Sequence, residues 1–127
     1  MRTLDIVQSQ STPQIRYDHQ EHVLRISGES YPENSFEFYA PVTAWVKEHL
    51  AEENRLRLDI DVSYMNSSST KCMLDLLDIL EEAHQKGGAI DIIWRYDKDN
   101  PRSLDLAEEF KEEVSCTFSI VTLDQSR

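Results

Sequence analysis

Cysteine is scarce in this chain. Cys72 and Cys116 are the only two, and neither sits in a C-x-x-C motif or near a finger-spaced histidine pair. A disulfide framework and a zinc module are therefore both unsupported, and the two thiols read as small core hydrophobes. Three glycines and four prolines leave little material for a flexible linker. No apolar run reaches membrane-spanning length, and no charged-then-apolar leader opens the chain. The expected location is the cytoplasm, without membrane insertion. Basic residues are also few, 13 against 24 acidic, for a formal net charge of −11. That charge repels a polyphosphate backbone, which argues against nucleic acid as a partner. A solvated surface explains it, and a basic partner surface is the sharper alternative. Motifs of the G-x-S-x-G, Walker or dinucleotide type are missing, and no cofactor is implied.

What is present suits one domain spanning residues 1–127, long enough to bury roughly two-thirds of its unfolded surface. Alternating apolar residues predict strands over 4–7, 14–18 and 22–27, the last two forming a hairpin across the polar "HQEH". Tyr39, Val42, Val46 and Leu50 recur at helical spacing, so a first helix runs to about Glu53. Pro41 leaves open whether it begins near Ala40 or continues past a kink.

"RLRLDIDVSYM" (55–65) is the clearest strand. Leu56, Leu58, Ile60, Val62 and Tyr64 form its expected buried face, and Arg55, Arg57, Asp59, Asp61 and Ser63 its polar one. So polar a second face predicts helices mainly on one side of the sheet. A second helix over 69–86 closes at Gly87 and Gly88. A strand at 89–97, a helix at 101–114 and a strand at 116–123 complete the order β, β, β, α, β, α, β, α, β. The expected class is α/β with a mixed sheet and right-handed crossovers.

Between the central strand and the second helix stands "NSSST" (66–70), four hydroxyl side chains where one suffices for a cap. Asn66 or any hydroxyl can cap. The alternative is modification, because a helix amino end offers unpaired N–H groups and a positive dipole that favour a phosphate. Lys71 opposes that dipole and is compensated either by a phosphate or by Asp75 one turn on. A helical projection puts Cys72, Leu76, Ile79, Leu80 and Ala83 in the core. Met73, Leu74 and Leu77 then form a wide apolar edge available to a partner. Tyr31, Glu33 and Asn34 are further docking candidates, although "PENS" also reads as a cap for the first helix.

Two catalytic or metal readings are weak. Asp59 and Asp61 resemble the spacing of aspartyl-phosphate chemistry, yet alternation continues through them where a loop is required. His19 and His22 lack a third ligand in sequence.

"SYPENSFEFYAPV" (30–42), "YMNSSSTKCMLDLLDILEEAH" (64–84), "LAEEFKEEVSC" (106–116) and "STPQI" (11–15) together resemble the SiaC family of bacterial regulatory phosphoproteins. More distantly, the strand, "YMNSS" and helix are similar to the phosphorylated region of anti-sigma factor antagonists of the STAS fold, so a STAS-like domain is expected. The resemblance implies a non-enzymatic partner switch. A cognate Ser/Thr kinase phosphorylates it, a PP2C-type phosphatase reverses this, and the unmodified form activates a diguanylate cyclase, favouring cyclic di-GMP synthesis and biofilm formation. The phosphosite, the hydroxyl directly after the Asn, falls on Ser67, with Ser68, Ser69 and Thr70 as neighbouring alternatives. Serine stands where threonine is usual in the SiaC pattern. Asn66 and Ser69 depart from the Asp and Gly of the STAS pattern. The alternative output is sequestration of an anti-sigma kinase and control of transcription.

Overall fold

The structure, a computed structural model, describes residues 3–123. Its elements are β1 (Asp5–Ile6), β2 (Gln14–Asp18), β3 (Val23–Ser30), α1 (Ser35–Glu53), β4 (Arg55–Met65), α2 (Ser67–Gln85), β5 (Ala89–Tyr96), α3 (Pro101–Glu112) and β6 (Thr117–Thr122). The six strands lie in one sheet in chain order. β1, β2 and β3 pair antiparallel, and β3 to β6 pair parallel. Right-handed crossovers that always step the same way place every connecting helix on the same face. The mixed α/β class and the one-sided helical layer are both as expected.

The covered face carries Ile15, Leu24, Ile26, Leu58, Ile60, Ile92 and Trp94, all fully buried. The uncovered face carries cross-strand ion pairs instead. Arg16 meets Asp5, Arg57 meets Asp91, and Arg95 binds Asp59 through both carboxylate oxygens at 2.8 and 3.0 Å. Asp59 and Asp61 thus line the polar face of β4. Burial and the nearby Asp59 charge push the Asp61 carboxyl up, against the pull of Arg95.

The expected alternation of β4 fails at its end. Val62 pairs with Gly28 but Tyr64 pairs with Glu29, so Ser63 is an extra residue and the pleat slips by one. Met65 is consequently buried and Tyr64 is 49% exposed, which corrects the buried assignment of Tyr64. Gly28 has φ +120 opposite this bulge, and a Cβ there would come within 2.8 Å of the Gln8 amide.

Pro41 does not start α1. The helix begins at Ser35 and runs through the proline, which is exposed. Asn34 caps it by accepting from the Glu37 amide at 3.1 Å, while its own Nδ2 donates to Glu37. Among the described residues no helix is long and apolar enough to cross a membrane, and no group of three His, Cys, Asp or Glu is placed to hold a metal. His19 packs edge-on against Tyr17, and His22 Nδ1 lies 3.5 Å from the Tyr17 hydroxyl.

Candidate functional site

Parallel strands β3 and β4 end at the same edge of the sheet, so α1 and α2 begin side by side. The cap of α2 is Asn66, not a hydroxyl. Its Oδ1 accepts from the Ser69 amide at 2.9 Å, and its backbone amide donates to the Ser30 carbonyl at 2.9 Å. The cap uses the third amide of the helix, leaving those of Ser67 and Ser68 without an intrahelical acceptor.

The four hydroxyls have different surroundings. Ser69 is fully buried, with Ser30 Oγ 2.8 Å away and Ser35 Oγ 3.0 Å away. Ser30 in turn meets the Tyr39 hydroxyl at 2.6 Å. Loss of solvent raises the Tyr39 phenol to about 12, opposed by the hydrogen bond from Ser30. Ser68 is half-buried, 2.8 Å from Ser35 Oγ. Thr70 donates to the Asn66 carbonyl at 3.0 Å. Ser67 alone in the run is exposed, and its hydroxyl has no hydrogen bond among the described residues. Of the four, the Ser69 hydroxyl is the one enclosed in the core.

Lys71 lies 3.8 Å from Asp75, both exposed, so the local ion pair answers its unfavourable place in the first turns. The proposed apolar edge on α2 is corrected: Met73 and Leu77 are fully buried and present nothing to a partner. α2 is the middle helix, and its flanks are closed by packing on α1 and the sheet. Leu74 is half-buried against the same core. Glu33 and Asn34 are exposed, Asn34 being the α1 cap.

Exposed aromatics gather at this edge. Tyr31 is 37% exposed, and its ring centroid lies 6.0 Å from that of Tyr64. Phe36, in the first turn of α1, is 54% exposed. Sequence reasoning found Tyr31 and missed the other two. Tyr64 was hidden by the bulge, and Phe36, three residues before Tyr39, adjoins the helical stripe, so periodicity alone does not mark it as exposed.

The sequence profile of the SiaC family regulatory phosphoproteins matches residues 6–123. The chain belongs to the SiaC family. An uncharacterised protein of Pseudomonas aeruginosa is 47% identical over 126 residues, covering 98% of this chain and all of that one. The crystal structure of apo-SiaC from Pseudomonas aeruginosa superposes with a TM-score of 0.90 at 46% identity, covering 95% of this chain and 99% of that one. SiaC in complex with the diguanylate cyclase SiaD, which it activates, superposes with a TM-score of 0.89 at 47% identity, over 94% and 98% of the two chains. The mixed six-stranded sheet with three helices is thus the SiaC fold, and the protein is a regulatory phosphoprotein by family.

Proposed function

We propose that this SiaC-family protein is a non-enzymatic, cytoplasmic, single-domain partner switch whose unphosphorylated form binds and activates a diguanylate cyclase. A cognate Ser/Thr kinase modifies Ser67 and a PP2C-type phosphatase restores it. The likeness to a SiaC solved with the cyclase it activates supports the partner. One observation carries the site: Ser67 is the exposed hydroxyl in a run whose other members are enclosed or engaged.

The chemistry follows from position. A phosphoserine at the first residue of α2 adds about −1.5 to −2 charges and three acceptor oxygens within reach of the open Ser67 and Ser68 amides. The fold has no need to rearrange to receive it. Tyr31 and Tyr64 offer an apolar docking patch at the same edge, with Glu33 and Asn34 beside it and Asn66 and Lys71 flanking the site. A partner seated there would desolvate the phosphate without a matching cation, at a cost of several kcal/mol, which corresponds to an affinity loss of about a hundredfold or more.

The test combines site mapping with binding. The cognate kinase should place phosphate on Ser67, and the phosphatase should remove it. Ser67→Ala should bind and activate the cyclase like the unmodified protein, and Ser67→Asp should bind far more weakly. Equal binding by the two variants, or phosphate on another residue, removes Ser67 from the switch.

A further inference from the structure

The two edges of the sheet are built differently. At one edge β1 is two residues long, carries Asp5, and stands against β2, whose Tyr17 amide donates to the Leu4 carbonyl at 2.9 Å. Short, charged edge strands resist pairing with another chain. At the other edge β6 pairs with β5 alone, over six residues in unbroken register. The chain is 29% charged, yet residues 116–123 include no charge and no proline. Every second residue of a strand with one neighbour turns its N–H and C=O outward. From 117 to 121 these outward groups have no hydrogen-bond partner among the described residues.

A cavity of about 560 Å³ opens beside this edge, between α3 and the covered face of the sheet. Tyr96, Leu104 and Ile120, each half-buried, line it with apolar surface, and Glu108, Lys111 and Glu112 form its outer rim. Side chains of an added strand alternate between the two faces of the sheet, so every second one would enter this cavity. A helix seated there would leave the outward amides and carbonyls of β6 unpaired, whereas a strand satisfies them. The flanking helix sets the charge. α3 and its cap carry Asp105, Glu108, Glu109, Glu112 and Glu113 against Arg102 and Lys111, all exposed and none in an ion pair among the described residues. A second copy paired edge to edge about a two-fold axis would set two such helices side by side, and their like charge opposes this.

We propose that β6 and α3 form a second docking surface, and that its occupant is an extended segment of a partner protein that adds a strand to the sheet. Alternate apolar side chains of that segment fill the cavity, and Lys or Arg beside them meets Glu108 and Glu112. β5 separates β6 from β4, the strand that leads to Ser67, so this surface stays usable in the phosphorylated state. The proposal rests on the partner-switch reading only for the choice of partners tested.

The test follows amide hydrogen exchange of the full chain residue by residue, by NMR, with the cognate cyclase, kinase and phosphatase added in turn. One of the three should slow exchange at the outward amides of 117–121 by about tenfold or more, and interchain NMR contacts should show an extended segment paired with β6. For that partner, Ile120→Lys should weaken binding by about tenfold or more in both Ser67→Ala and Ser67→Asp backgrounds. Glu108→Lys combined with Glu112→Lys should weaken it several-fold at low salt and little at high salt. Both glutamates are exposed, so the charge-reversed chain folds even where Ile120→Lys does not. Absence of protection over 117–121 with all three partners, pairing of β6 with a second copy of this chain, a helical bound segment, or unchanged binding by the charge-reversed chain would overturn the proposal. The cyclase affinities of Ser67→Ala and Ser67→Asp are measured without reference to β6, so the switch survives or fails separately.

Discussion

The hydroxyl of Ser35, which opens α1, lies 2.8 Å from the hydroxyl of Ser68 in the first turn of α2. Thirty-three positions separate the two residues in the chain. The contact joins two helix starts whose dipoles both point positive end outward, so a charge added at Ser67 acts on a pair of helices. It also holds the exposed Ser67 on a rigid base, since Ser68 and Ser69 are both tied to Ser35.

Ser69→Ala should cost about 1–2 kcal/mol of stability, because it strips a buried partner from both Ser30 and Ser35. Urea denaturation measures the loss. Kinase modification of Ser67 should persist in this variant, whose outer hydroxyl is untouched.

Asn66→Ala should cost about 1 kcal/mol, the worth of an N-cap accepting from the third helical amide. Lys71→Ala should change stability by less than about 0.5 kcal/mol, since its ion pair with Asp75 is exposed. Chemical denaturation of the two variants side by side separates cap from charge, and a reversed order would deny Asn66 its capping role.

Alkaline titration should reveal late tyrosine ionisation, with Tyr39 contributing to it. Burial pushes the Tyr39 phenol up to about 12 from the ordinary 10.0, and burial raises Tyr17 too. The unfolded chain loses these protons first, so stability falls as pH rises above about 10. Ultraviolet titration of Tyr39→Phe should show a smaller late component, the remainder coming from Tyr17.

Glu81 carries the opposite sign. Hydrogen bonds from the Ser115 hydroxyl, the Gln85 amide and the Ser115 backbone hold its carboxyl down at about 2, below the ordinary 4.5. The unfolded chain therefore takes up this proton first, and the contribution is present above about 4.5 and lost as pH falls toward 2. Thermal melting from pH 7 to pH 2 should show a shallower acid decline for Glu81→Gln than for the unsubstituted protein.

Where the apolar pattern was local and complete, it was legible. The strand at 55–65, the glycine after the second helix and the polar face of Asp59 and Asp61 all follow from alternation or periodicity over a few residues. Met73 and Leu77 were misjudged for a different reason. A projection of one helix assumes one buried side, whereas α2 packs on both the sheet and α1 and buries a wider arc.

By itself the sequence determined the α/β order, the one-sided helical layer and the position of the candidate site at the start of the second helix, since these depend on periodicity, capping chemistry and chain order. Only the tertiary structure decided which hydroxyl is accessible. Ser67 and Ser69 are the same residue type two positions apart on the same turn, and what distinguishes them is the arrival of Ser30 and Ser35 from distant segments. The pleat slip that exposes Tyr64 is likewise set by the pairing of β4 with β3, a register that no single strand encodes.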